Sequence, residues 1–76
     1  MALGFKSVIT GENPEIIIDL GYDVVVARHY EAPTDGVNGT LAGHAGPGSL
    51  LIVANGASSN IYQNRGTKDS PTWVAI

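Results

Sequence analysis

Apolar residues in this chain come in short runs bounded by glycine, proline and Asn-Gly or Asp-Ser-Pro steps, not at the three-and-four spacing of an amphipathic helix. FKSVIT ends at Gly11 and is followed by Asn13-Pro14, where a residue before proline avoids helical geometry. EIIIDLG carries three consecutive β-branched isoleucines, stiff at Cβ and suited to a pleated surface, and reads as a buried strand. Gly21 separates it from YDVVVARHY, so the two runs form either one bent strand or a tight hairpin. Strand alternation in the second run puts Val24, Val26, Arg28 and Tyr30 on one face and Val25, Ala27 and His29 on the other, with both faces partly covered.

The segment from Glu31 to Gly48 contains two prolines and five glycines, with Val37 and Leu41 as its only large aliphatics. It reads as an irregular loop or arm, and a connection this long without secondary structure is commonly functional or ordered by a partner. SLLIVAN then reads as a buried strand, Asn55-Gly56 as a hairpin turn at positive φ, and NIYQN as the returning strand. Asp69-Ser70-Pro71 turns into a last strand, TWVAI, so the C-terminal third is a three-stranded meander. The pattern predicts one all-β domain over residues 1–76, a small antiparallel sandwich or barrel, with 31–48 as a long Gly/Pro-rich arm.

Composition narrows the function. A chain of 76 residues buries only about 60% of its unfolded surface, so its stability is marginal. With no cysteine, neither a disulfide nor a thiolate metal site supports it. His29 and His44 stand apart in sequence and match no ligand spacing, so no metal or other cofactor is expected. Assembly is the support left over. The charged fraction of 14% is low beside the roughly 25% usual for soluble domains, and suits burial against partners.

Other chemistries find little footing. Lys6, Arg28, Arg65 and Lys68 do not cluster, which argues against nucleic acid. No apolar run approaches the roughly 20 residues of a membrane helix, and the first residues lack the layout of a secretion signal. Glu15, Asp19 and Asp23 read as solvent-facing strand carboxylates flanked by aliphatics, and Ser58, Ser59 and Ser70 have no neighbouring histidine or nucleophile elbow, so no catalytic residue is expected and the chain is not read as an enzyme. GHAGPGS looks like a phosphate loop but lacks the following Lys-Ser/Thr and opens onto an aliphatic run. Asn38-Gly39-Thr40 matches a glycosylation acceptor in a chain with no sign of secretion.

From Gly39 to Ile76 the chain resembles small virion proteins of tailed bacteriophages. The residues that carry the likeness are Ala42, Gly43, Ala45 to Leu50, Tyr62, Asn64, Gly66, Thr67, Lys68 and Ser70 to Trp73: a Gly/Ala-rich stretch leading into a strand, then a hairpin closed by a Tyr-x-Asn-x-Gly-Thr-Lys-x-Ser-Pro-Thr-Trp run. The resemblance implies a structural role on a phage particle, as a capsid decoration (cement) protein or a short fibre. The expected function is capsid decoration in the virion by a chain made in the host cytoplasm. The expected partners are copies of itself, a trimer among the options, and a major capsid protein.

The residues expected at such contacts are Gly43, Gly46, Pro47, Gly48, Leu50, Tyr62, Trp73, Val74 and Ile76. The glycines allow close approach, Pro47 stiffens the segment, and Trp73 offers the largest apolar burial in the chain. The alternative is a fibre or spike module in which Tyr62 or Trp73 lines a groove for a host-surface glycan.

Overall fold

The computed structural model describes residues 14–76, five strands in one sheet, so the expected FKSVIT strand lies outside the described residues. Strand β1 is Glu15–Gly21, β2 Val24–His29, β3 Leu50–Ala54, β4 Ser59–Asn64 and β5 Trp73–Ala75, and they lie in the sheet in chain order. Among the described residues all regular structure is β, as the runs of β-branched residues predict.

β1 and β2 form a tight hairpin in which Gly21 pairs with Val24, leaving Tyr22 and Asp23 as the turn. Both turn residues have positive φ, 55° and 63°, the geometry that follows the right-handed twist of the flanking strands. A bulge at Ile17 breaks the alternation of β1, so Ile16 pairs with Ala27 and Ile18 with Val26, on opposite faces of the sheet. At the other end, β3, β4 and β5 make the expected meander. Asn55 Oδ1 accepts the amides of Ala57 and Ser58, and Gly56 sits at φ 90°, closing the β3–β4 turn.

Where an antiparallel sandwich or barrel with a free arm is expected, the described residues form a single open, mixed sheet. The reason is the β2–β3 pair, which is parallel, with Val26 opposite Leu50 and Ala27 opposite Leu51. Parallel neighbours cannot be joined by a hairpin and need a crossover. The Gly/Pro-rich segment is that crossover, and it lies over one face of the sheet.

Leu41 and Ala45 of the crossover pack with Ile16, Val25, Ala27, Leu51 and Trp73 in the core, beside Val53 and Tyr62. Four of its glycine amides are fixed to distant carbonyls: Gly36 to Pro71 at 3.0 Å, Gly43 to Lys68 at 2.8 Å, Gly46 to Asp23 at 2.6 Å and Gly48 to Asn64 at 2.8 Å. Buried Ser49 completes the junction, its hydroxyl accepting the Val25 amide at 3.0 Å and donating to the Asp23 carbonyl at 3.2 Å.

Candidate interaction surface

The run from Tyr62 to Trp73 builds the fold through its asparagine. Asn64 is 1% exposed at the end of β4. Its Oδ1 accepts the amides of Gly66 at 2.8 Å and Thr72 at 2.9 Å, and its Nδ2 donates to the carbonyls of Ala45 at 2.9 Å and Thr67 at 3.1 Å. Two donors and two lone pairs are the full capacity of an amide side chain. One residue therefore joins β4, the loop before β5 and the crossover. Gly66 is required in the same loop, since a Cβ there would lie 2.8 Å from the Ser70 carbonyl oxygen and from the Thr72 amide.

Trp73 closes the same end. Its indole Nε1 donates to the Thr40 carbonyl at 3.0 Å, and its backbone amide donates to Asp35 Oδ1 at 2.8 Å. Tyr62 packs half-buried against the core, and Gly46 is buried against the Asp23 turn. Trp73, Tyr62 and Gly46 thus pack on the core side of the sheet. Gly43 and Pro47 are exposed on the crossover and Gly48 is half-buried there. Leu50, Val74 and Ile76 take a different position, on the opposite face of the sheet. Asp35, which ties the start of β5 to the crossover, escapes sequence reading because its partner is 38 residues away.

That opposite, outer face is the most apolar surface among the described residues. The strand registers align two rows across it: Ile18, Val26, Leu50, Gln63 and Val74 in one, Glu15, Arg28, Ile52 and Ile61 in the other. Ile76, whose amide donates to the Ile61 carbonyl at 2.8 Å, extends the second row. Ile52 is 40% exposed, Ile61 45% and Val74 43%, while Ile18, Val26 and Leu50 are half-buried. The only charges in these rows, Glu15 and Arg28, bond to each other at one corner. Contiguous apolar patches of this kind mark interaction sites more often than isolated exposed side chains do.

Several other polar groups make structural bonds. The amides of Gly46 and Gly48 in the GHAGPGS string already serve the Asp23 and Asn64 carbonyls, so they are not directed at an anion. His29 is buried at the end of β2, with Nδ1 accepting the Tyr30 amide at 3.0 Å and Nε2 4.0 Å from Glu31. Lys68 Nζ lies 3.3 Å from Asp23 Oδ1. Among the described residues no group of three or more His, Asp or Glu side chains is placed to share a metal ion, and no buried side-chain polar atom lacks a hydrogen bond. A shallow depression of about 320 Å3 at the β3–β4 turn is lined by Ala54, Gly56, Ala57, Ser58 and Ser59, none of which titrates. No helix among the described residues is long and apolar enough to cross a membrane. Comparison of the chain with protein-family models, curated proteins and solved structures finds no match.

Proposed function

We propose that this chain is a virion structural subunit that decorates and stabilises a bacteriophage capsid, acting by contact with copies of itself and with a major capsid protein. The observation that carries the reading is the outer sheet face, where Ile52, Ile61, Val74 and Ile76 stand exposed beside half-buried Ile18, Val26 and Leu50. A sheet that the described residues pack on one side only is half of a two-layer arrangement, and burying its second side stabilises at roughly 25 cal/mol per Å2 of apolar area. The likeness of the C-terminal half to small phage virion proteins supplies the kind of particle. The mechanism is passive: contacts added between capsomers raise the barrier to rupture of the shell.

The test is the copy number of the chain on purified particles. Hundreds of copies per particle are expected for decoration. A handful would favour the fibre or spike module that binds a host-surface glycan, and absence from particles would overturn both.

A further inference from the structure

Two Asn-Gly steps occur in the chain, Asn38-Gly39 in the crossover and Asn55-Gly56 in the β3–β4 turn. An asparagine followed by glycine can modify itself, because no side chain on the glycine shields its amide nitrogen from the carboxamide beside it. Both steps have the same pair of residues, so the fold is what sets their rates apart.

At Asn38-Gly39 the nitrogen is held. The Gly39 amide donates to the Gly36 carbonyl at 2.9 Å, the Thr40 amide to the Thr34 carbonyl at 2.9 Å and the Ala42 amide to the Gly39 carbonyl at 3.1 Å. The Thr40 carbonyl is fixed in turn by the Trp73 indole at 3.0 Å. Packing is close as well, since a Cβ on Gly39 would lie 2.5 Å from the Thr34 carbonyl oxygen. Turning this peptide toward the Asn38 side chain disturbs several of these contacts together.

The β3–β4 turn is open by comparison. Asn55, Gly56, Ala57 and Ser58 are all exposed. The Gly56 amide makes no hydrogen bond among the described residues, and nothing lies within 4 Å of the place a Cβ on Gly56 would occupy. Asn55 Oδ1 accepts the Ala57 and Ser58 amides at 3.0 and 3.1 Å, and its Nδ2 donates to the Tyr30 carbonyl at 3.5 Å. These bonds hold the carboxamide, but all three are exposed, and water replaces exposed bonds at small net cost. We infer that Asn55 is a site of spontaneous self-modification in the folded chain, with the Gly56 nitrogen as nucleophile, and that the crossover protects Asn38 from the same reaction.

In the reaction the Gly56 nitrogen gives its proton to a solvent base and bonds to Asn55 Cγ. The Cγ–Nδ2 bond breaks, and Nδ2 leaves as ammonia with a proton returned by solvent. Water then opens the resulting cyclic imide at Cγ, giving aspartate, or at the main-chain carbonyl, giving isoaspartate. One water is consumed and one ammonia released, and nothing is oxidised or reduced. An aspartate can still accept the Ala57 and Ser58 amides, whereas isoaspartate lengthens the main chain between β3 and β4. Either product adds one negative charge to the net charge of −3, whatever the outer face meets.

The test ages the full chain at mildly alkaline pH, folded and in guanidinium chloride. Fragment-ion mass spectrometry locates each converted asparagine, enzymatic methyl transfer counts isoaspartate, and far-UV circular dichroism confirms that the first sample stays folded. In the folded chain Asn55 is expected to convert faster than Asn38 by about tenfold or more, and in denaturant the two should convert at similar rates. Similar rates at the two sites in the folded chain, or faster conversion of Asn38, overturns the inference. So does an Asn55 that stays intact in the folded chain while denaturant converts it, or a preference for Asn55 that is as large in denaturant as in the fold.

Discussion

Asn64 sits where three parts of the chain meet, and its amide is saturated by four bonds to backbone groups. Truncation would leave the Gly66 and Thr72 amides and the Ala45 and Thr67 carbonyls without a side-chain partner in a site with little water. At about 1 kcal/mol or more for each lost bond, Asn64→Ala is expected to cost on the order of 3 to 4 kcal/mol. Domains of this size have about 4 to 11 kcal/mol in total, so the loss should appear as a large fall in the urea midpoint. Asn64→Asp keeps both acceptors but sets a buried carboxylate oxygen against the Ala45 and Thr67 carbonyls, and is expected to cost at least as much as alanine. Trp73→Ala removes the largest core side chain together with its bond to Thr40, with an expected cost of about 3 to 5 kcal/mol in the same experiment. A change below about 0.5 kcal/mol would place the residue at the surface.

At the scale of elements, the crossover is the part that departs most from its sequence. Gly46 and Gly43 separate two reasons for glycine within it. A Cβ on Gly46 would lie 2.8 Å from Asp23 Cβ, whereas Gly43, at φ 84°, has nothing within 4 Å of such an atom. Gly46→Ala must displace the β1–β2 turn and is expected to cost about 1 to 3 kcal/mol, as overpacking does. Gly43→Ala carries backbone strain alone, about 1 to 2 kcal/mol. A high-resolution structure of each variant separates them, with a shifted Asp23 only in the first. The amides of Gly43, Gly46 and Gly48 should also exchange slowly in the isolated chain, because each is bonded to a carbonyl outside the crossover. Rapid exchange there would restore the picture of a free arm that only a partner orders.

These same elements show what can be read from the sequence. The runs of Ile and Val in β1, β2 and β3, the Asn55-Gly56 turn and the final meander are local signals, and each strand lies where its β-branched or alternating residues put it. The parallel pairing of β2 with β3 is not local, and nothing in either run distinguishes it from an antiparallel one. Once that pairing is unknown, a stretch rich in glycine and proline reads as an arm, because the carbonyls that fix its amides belong to Asp23, Asn64, Lys68 and Pro71, distant in sequence. Asn64 reads as a turn residue from its neighbours Gly66 and Thr67, and its bond to the Ala45 carbonyl becomes visible only in the fold. On the outer face, Leu50, Val74 and Ile76 are legible as apolar strand residues, while Ile52 and Ile61 join them in rows only through the β3–β4 register.

At the scale of the whole molecule, an inner face whose buried polar groups are satisfied among the described residues lies back to back with an outer face that leaves Ile52, Ile61 and Ile76 partly exposed. The crossover covers the first, and the second is the surface proposed for contact with other chains. The most direct measurement is the occupancy of purified particles by the Ile61→Lys chain beside wild type, both produced at equal levels and both shown to fold. The expected result is hundreds of wild-type copies per particle and a loss of at least tenfold for the variant. Equal occupancy by the two chains would contradict the account, since the surface on which it depends would then have no part in assembly.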